Sequence, residues 1–344
     1  MKLEGAYTAI ITPLFPDGSV DYNGLVKNIE FQVSQSIAGV VPVGTTGESP
    51  TISQDERKEI IERAIAAADG RCKVIAGTGS NSTEKCIANT EHAAQAGIDA
   101  ALVVDCYYNG PSSQELRDEY YAVIAKRYPE LTIVPYIIPG RTGTALSVED
   151  LAILHAKHPN ISAVKEATGD LARMAYTREI CGSDFSIISG DDDLTYRMMA
   201  DQAIAADGVI SVASNVVPRP VQEMVSAVKS GDLQKAEKLQ NALAPLFKIV
   251  TVKVENERIL PDGRNVKVAD KYRNPVAIKN LMSALGMPSG ACRRPLGKMT
   301  RPGVEIVRQA VKTVWVNNPE ILAPIAEFYG IDIEARIADD NNWM

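Results

Sequence analysis

Short runs of hydrophobic, often β-branched residues recur along the chain, with helical periodicity between them. Several runs are apolar on consecutive residues, as expected for strands covered on both faces. They are spaced by about 20 to 35 residues, which is typical of repeating βα units. The eight predicted strands are Tyr7–Thr12, Gly39–Val43, Lys73–Gly77, Ala100–Asp105, Thr132–Ile137, Ile161–Lys165, Phe185–Ser189 and Gly208–Val212.

Helix start signals lie between these runs. The segment 53–56 (Ser-Gln-Asp-Glu) predicts a capping box, and the segment 147–150 has the same pattern. Alternating strands and helices indicate parallel strands, and eight such units predict closure into a TIM (β/α)8 barrel. An open doubly wound sheet is the alternative. No Gly-x-Gly-x-x-Gly motif follows the first strand to favour a dinucleotide-binding sheet of that kind.

The pattern changes after the eighth predicted strand. Helical periodicity is followed by an alternating stretch at 250–254, a Pro261-Asp262-Gly263 turn and a second alternating stretch, which together predict a β-hairpin. Helical character then resumes, and the residues from about 317 form a polar-ended extension. We therefore predict a barrel over 1–216, a C-terminal helical region over 217–316 with a hairpin insertion at 251–273, and a C-terminal extension over 317–344.

Composition excludes several classes of function. The chain has 344 residues, is 45% hydrophobic and carries a formal net charge of -7, which argues against nucleic acid or an anionic membrane as its main partner. No segment approaches the ~20 consecutive apolar residues of a membrane span. The five cysteines are scattered, without a Cys-x-x-Cys pair, which favours a reducing cytoplasm.

Catalytic residues of a barrel lie in the loops that follow its strands, and one strand end there is distinctive. Lys165 ends the apolar sixth strand. Burial disfavours an ammonium group, and a neutral amine is a nucleophile that forms Schiff bases with carbonyl compounds. The alternative is a lysine whose amine only extends from the barrel mouth into solvent.

Other predicted strand ends carry groups that suit a small carboxylate substrate. Thr45 and Thr46 lie between two glycines and could hold a carboxylate with their hydroxyls and backbone N–H groups, unless the segment is only a turn. Tyr136 could transfer a proton, and Arg141 could pair with a carboxylate, unless they are only a core tyrosine and a solvated arginine. Tyr108 and its neighbour Tyr107 are more typical of packing or of a subunit interface.

Two groups of residues could instead bind a metal ion. Asp191, Asp192 and Asp193 could hold Mg²⁺ for a metal-dependent enolate mechanism. Their consecutive positions favour a role at a helix N-terminus, where acidic residues are stabilised. His155 and His158 lie near a predicted helix end and favour a solvated terminus. We therefore predict no metal site.

These motifs together resemble the dihydrodipicolinate synthase family, part of the pyruvate-dependent class I aldolase group. The resemblance covers about residues 3–250 and 274–312, and all five motifs occur in the order of the family. They are Gly44–Ser49, Tyr107–Asn109, Tyr136 with Pro139–Gly143, Val164–Gly169 and Ser189–Asp192.

The resemblance implies a catalytic role for four residues. Lys165 would form an imine with pyruvate, and Tyr136 would move protons during its formation. Thr45 would connect Tyr136 to Tyr108, and this Tyr108 would come from a neighbouring subunit. The protein would therefore be a homo-oligomer, either a dimer or a homotetramer built as a dimer of dimers.

The same resemblance implies four substrate-binding residues. Thr46 would hold the pyruvate carboxylate, Gly190 and Ile210 would line the pyruvate pocket, and Arg141 would meet the carboxylate of the aldehyde. The implied reaction joins pyruvate to L-aspartate 4-semialdehyde and forms 4-hydroxy-tetrahydrodipicolinate, in diaminopimelate and lysine biosynthesis. The imine is covalent, so no cofactor or metal is implied.

Three other functions remain as alternatives. A related aldolase could use the same lysine on a sugar acid such as N-acetylneuraminate or 2-keto-3-deoxygluconate. A magnesium-dependent barrel lyase and a non-catalytic scaffold are the others. Departures from the family pattern affect the aldehyde most: Ile137 replaces an asparagine, Asp105-Cys106 replaces Thr-Pro, and the hairpin and C-terminal extension are unusual.

The resemblance also bears on regulation. In inhibited relatives lysine binds at the dimer interface, and the matching region here includes Ser49, Asn81 and Tyr107. Arg57 and Lys85 lie in the same region and would repel the ammonium groups of lysine. We predict weak or absent inhibition by lysine.

Overall fold

The computed structural model describes residues 2–343, and its central feature is a closed barrel of eight parallel strands. The strands follow chain order around the barrel, and β1 closes it by pairing with β8, Gly5 opposite Gly208. The TIM-barrel prediction is confirmed. The strands are β1 Gly5–Thr8, β2 Gly39–Val40, β3 Lys73–Gly77, β4 Ala100–Val104, β5 Thr132–Ile137, β6 Ala163–Glu166, β7 Ser186–Ser189 and β8 Gly208–Ser211.

Helices cover the outside of the barrel between successive strands. The capping box predicted at Ser53 is present, because the Ser53 side chain and the Glu56 side chain each accept a hydrogen bond from the other residue's backbone N–H. A π-helical turn over Leu116–Tyr121 joins two short helices. The helices of this part are α1 Tyr22–Ser34, α2 Gln54–Ala68, α3 Thr83–Ala96, α4 Ser113–Glu115, α5 Ala122–Arg127, α6 Pro139–Thr142, α7 Val148–Lys157, α8 Leu171–Cys181 and α9 Thr195–Ala200.

The first two strands end earlier than their sequences predict. β2 stops at Val40 because Pro42 has no backbone N–H to donate and Val43 adopts a left-handed conformation with φ of 55°. β1 stops at Thr8, and the chain beyond it is held by a side chain, the Oδ1 atom of Asn215, which accepts from the N–H of Ile11 at 3.1 Å. The segments after both strands are therefore free to curve over the barrel mouth.

The C-terminal region adds helices and one antiparallel hairpin. The region from 317, predicted as an extension of uncertain structure, is largely helical and packs on the barrel helices. The Phe328 and Tyr329 rings each lie 5.3 Å from the ring of Phe31. The elements are α10 Pro218–Lys229, α11 Leu233–Lys248, β9 Thr251–Ile259, β10 Asn265–Arg273, α12 Val276–Leu285, α13 Arg301–Asn317, α14 Ala323–Tyr329 and α15 Ile333–Ala338.

The β9–β10 hairpin is anchored at its base and exposed at its tip. Val252 is buried in the core, and the Tyr272 hydroxyl accepts from the N–H of Thr300 at 3.2 Å. The tip turns at Gly263, whose positive φ suits glycine, and the nearby Ile259 is 80% exposed. The described chain contains no helix long and apolar enough to cross a membrane.

Candidate active site

Lys165 and Tyr136 lie side by side inside the barrel mouth. They are directly paired in the register of β5 and β6, so their side chains point to the same face. The Nζ atom of Lys165 is 4.0 Å from the centre of the Tyr136 ring. Both residues are buried, with 6% and 5% of their surface exposed. An amine and a phenol are therefore held together away from bulk water.

Burial changes the acid–base properties of this pair. It lowers the pKa of Lys165 to about 8, although the nearby carboxylates of Asp191 and Asp192 oppose the shift. Burial also raises the pKa of Tyr136 to about 12, while the positive charge of Arg141 opposes that shift. At neutral pH the lysine has an appreciable neutral fraction, and the tyrosine keeps its proton. The pair can supply a nucleophile and a proton donor.

The loop after β2 brings both threonines to the pocket. Left-handed conformations at Val43 and Glu48 reverse the chain on each side of Thr45 and Thr46. The Thr46 hydroxyl accepts from Nδ2 of Asn274 at 2.9 Å, which leaves its own proton available to a ligand. The loop therefore depends on a residue that follows the hairpin, far along the chain.

A buried ion pair holds the far end of this loop. The Nζ atom of Lys279 in α12 lies 2.6 Å from Oε1 of Glu48, and the other carboxylate oxygen accepts from the N–H of Arg293 at 2.8 Å. Both members of the pair have side chains that are only 1% exposed. Lys279 lies outside the motifs that predict the site, although a lone lysine among the apolar residues of α12 indicates a buried charge that needs a partner.

The end of β7 contributes a glycine and three acidic residues. A Cβ atom on Gly190 would lie 2.6 Å from the Cβ of Ala167 and 3.2 Å from Cε of Lys165, so only glycine leaves room beside the amine. Asp191 lines the pocket, and burial raises its pKa to about 6. Asp193 is exposed.

The three aspartates directly precede helix α9, where they were predicted to lie, but none of their side chains caps it. Helix α9 begins at Thr195, directly after Leu194. Asp192 is buried and accepts from the backbone N–H groups of Val212 and Ala213 at 2.9 and 3.2 Å. Within residues 2–343 no group of three His, Cys, Asp or Glu side chains is arranged to hold a metal ion.

A pocket of about 250 Å³ connects these groups to solvent. Arg141 lies at its mouth in α6, and its Nη2 atom donates to the carbonyl of Asn274 at 3.1 Å. Ile210 lies deeper, in the apolar barrel interior, with 1% of its surface exposed. The predicted site residues that line the pocket are Thr45, Thr46, Tyr136, Arg141, Lys165 and Gly190.

Tyr108 is the one predicted catalytic residue that is not brought to the pocket. It is 89% exposed and has a left-handed backbone with φ of 84°, which is rare for a residue with a bulky side chain. Strained conformations of this kind are found where a side chain must be directed to a particular place. In a single subunit the Tyr108 side chain is directed away from the body of the protein.

The two sequence departures near the site lie behind the strands. Ile137 is fully buried in the shell between barrel and helices, on the opposite face of β5 from Tyr136. Asp105 is also fully buried and accepts from the hydroxyl of Tyr121 at 2.6 Å and from the N–H of Leu146 at 3.2 Å. Burial raises the pKa of Asp105 to about 7. Neither Ile137 nor Asp105 lines the pocket.

The chain belongs to the dihydrodipicolinate synthetase family, whose profile matches residues 2–314. It is 41% identical over 297 residues to the 4-hydroxy-tetrahydrodipicolinate synthase of Leptospira biflexa, covering 86% of this chain and 92% of that protein. It is 35% identical over 312 residues to the synthase of that name from Methanococcus maripaludis, covering 91% of this chain and 99% of that protein.

Solved structures agree with this assignment. The structure of the 4-hydroxy-tetrahydrodipicolinate synthase from Methylacidiphilum fumariolicum superimposes with a TM-score of 0.82 at 35% identity, covering 95% of this chain and 99% of that one. The family predicted from the strand-end motifs is confirmed.

Proposed function

We propose that this member of the dihydrodipicolinate synthetase family is a lyase, 4-hydroxy-tetrahydrodipicolinate synthase, which condenses pyruvate with L-aspartate 4-semialdehyde. The observation that carries the proposal is the buried amine of Lys165, with a pKa lowered to about 8, beside the Tyr136 ring. The Leptospira biflexa and Methanococcus maripaludis relatives carry the synthase name, so the sugar-acid aldolase is not favoured.

The reaction begins with the amine. Neutral Lys165 attacks the C2 carbonyl of pyruvate, and Tyr136 donates a proton so that the resulting hydroxyl leaves as water. Thr46 binds the pyruvate carboxylate through its hydroxyl proton and neighbouring backbone N–H groups. The protonated imine withdraws electrons, so a methyl proton is lost to a base and an enamine forms.

The enamine carbon then attacks the aldehyde of the second substrate, whose carboxylate Arg141 meets at the pocket mouth. The aldehyde oxygen of the semialdehyde takes up a proton and becomes a hydroxyl. The amino group of the semialdehyde adds to the imine carbon, and the bond to Lys165 breaks. These steps regenerate the amine and close the ring of 4-hydroxy-tetrahydrodipicolinate. The covalent imine supplies the electron sink, so the proposal includes no cofactor or metal.

The proposed proton path extends through Thr45, which lines the pocket together with Tyr136, to Tyr108 of a second copy of the chain. The exposure and left-handed backbone of Tyr108 support this role, because within residues 2–343 its side chain does not line the pocket of its own subunit. We infer a homo-oligomer, a dimer or a dimer of dimers, in the cytoplasm.

Borohydride reduction in the presence of pyruvate tests the central step. A pyruvate-derived adduct on Lys165, located by mass mapping, is expected, and Lys165→Met should abolish it. An adduct on another lysine, or none, would contradict the proposed nucleophile. Turnover of L-aspartate 4-semialdehyde, compared with cleavage of N-acetylneuraminate, tests the choice of aldehyde.

A further inference from the structure

The base of the β9–β10 hairpin forms part of the wall of the active-site pocket. Thr251 at the start of β9 and Lys271 and Arg273 at the end of β10 line the same pocket as Lys165 and Arg141. None of these hairpin residues takes part in the proposed reaction steps.

Strand alternation fixes which way the hairpin cations point. Val252 and Tyr272 are cross-strand partners, and their side chains pack towards the core and towards Thr300. Because neighbouring strand residues point to opposite faces, Lys271 and Arg273 lie on the other face. This is the face that borders the pocket.

The hairpin base carries unbalanced positive charge. Lys271 lies directly opposite Lys253, and like charges at such positions destabilise a strand pair. Within residues 2–343, Lys253, Lys271 and Arg273 form no ion pair with an acidic side chain. Cations further along the hairpin are all paired: Arg258 with Asp270, Arg264 with Asp262 and Lys267 with Glu255.

Arg273 and Arg141 are tied to each other through the backbone. Nη1 of Arg273 donates to the carbonyl of Gly140, next to Arg141, at 2.7 Å. Nη2 of Arg141 donates to the carbonyl of Asn274, next to Arg273, at 3.1 Å. Burial, and also the charge of Arg273, lower the pKa of Arg141. Two like charges are therefore held together at the pocket mouth, and each retains donors for a ligand.

We propose that Arg273 and Lys271 are specificity-determining residues that, with Arg141, bind the carboxylate of the acceptor aldehyde. The arrangement selects an aldehyde with a carboxylate over a neutral aldehyde, because an anion neutralises cations that are otherwise unpaired. This inference rests on the proposed function, since it assigns a recognition element to the second substrate of the same site.

Steady-state kinetics of Arg273→Gln and of the double variant with Lys271→Gln test the proposal. The KM for L-aspartate 4-semialdehyde should rise about tenfold in the single variant and further in the double variant. The KM for pyruvate and the borohydride trapping on Lys165 should stay unchanged. Arg273→Lys should recover part of the loss. Arg264→Gln, the same substitution at the hairpin tip, is the control and should match the wild type.

Two further substrates separate this inference from the proposed function. Succinic semialdehyde has a carboxylate and butanal has none, so only the former should be used less well by the double variant. A semialdehyde KM in Arg273→Gln within about twofold of the wild-type value, or an equal rise for pyruvate, would overturn the hairpin role and leave the proposed function standing.

A different result would contradict the proposed acceptor and support the hairpin inference. In that case the wild-type protein does not turn over L-aspartate 4-semialdehyde but uses succinic semialdehyde better than butanal, and Arg273→Gln removes this preference. Failure with all three aldehydes would overturn both.

Discussion

Replacing Asp191 with asparagine should make Lys165 react with pyruvate at lower pH. The carboxylate of Asp191 favours the ammonium form of the lysine, so its removal lowers the Lys165 pKa below its present value of about 8. Asparagine keeps the size of the side chain and removes only the charge. The direction of the change follows from the sign of that charge.

The size of the effect follows from the fraction of neutral amine. With a pKa of about 8, roughly one amine in ten is neutral at pH 7, whereas an unperturbed lysine would have roughly one in 3,000. A further fall of about one pKa unit, equivalent to about 1.4 kcal/mol, would make about half of the amines neutral at that pH. Imine formation at pH 7 should therefore be about fivefold faster.

The effect should be confined to a window of pH. Burial raises the pKa of Asp191 itself to about 6, so at lower pH the wild-type residue is already uncharged and resembles asparagine. Above the Lys165 pKa the amine is neutral in both proteins. The two rate profiles should differ between about pH 6 and 8 and converge outside this range.

The assay is the initial rate of pyruvate-dependent borohydride trapping, measured across this pH range. Asp184→Asn makes the same charge change at an exposed site before β7, at the opposite end of the barrel, and should leave the profile unchanged. A profile for Asp191→Asn that is unchanged, or displaced to higher pH, would refute the assigned influence of Asp191 on the lysine.

Three more outcomes are expected. Lys279→Met should lower the free energy of unfolding by about 3–5 kcal/mol in chemical denaturation because it leaves Glu48 charged and buried, and a double variant with Glu48→Gln should lose less. Tyr108→Phe should reduce kcat about 10- to 100-fold. Mixed oligomers of this variant with Lys165→Met should regain some activity only if the tyrosine reaches the site of the neighbouring subunit, because such a site then has both Lys165 and Tyr108. Millimolar lysine should leave the initial rate nearly unchanged. The Arg57 guanidinium donates to the Ser49 hydroxyl at 2.9 Å and would repel an ammonium group of lysine at that position. Inhibition by micromolar lysine would contradict this prediction.

The barrel could be predicted because hydrophobic runs and turn residues are local properties. β3 and β5 have the bounds expected from their sequences, Lys73–Gly77 and Thr132–Ile137. The predicted β2 extended past Pro42 and ended too late, because no glycine marks the left-handed turn at Val43. The helices after residue 317 were missed because seven or six residues are too few to establish a hydrophobic period.

The residues of the site also divide into those that the sequence could predict and those that it could not. Lys165 and Tyr136 lie near the C-terminal ends of their strands, and the two threonines follow β2. Their common location at one end of a parallel barrel is therefore a consequence of topology. The position of the hairpin over the mouth is set by packing between Val252 and the C-terminal helices, which local sequence does not encode. Contacts such as Asn274 with Thr46 also join residues 228 positions apart.

That separation has a consequence for how the protein is made. During synthesis the chain emerges from its N-terminus, so Lys165, Tyr136 and the threonine loop are present long before Asn274 and Lys279. Long-range contacts form late because closing a large loop costs entropy before any contact is made. A nascent chain that ends near residue 250 could align its strands and still lack the partners of Thr46 and Glu48. Ribosome-stalled chains of increasing length should therefore form an imine with pyruvate only once α12 has left the ribosome. In shorter chains the amine of Lys165 should not react.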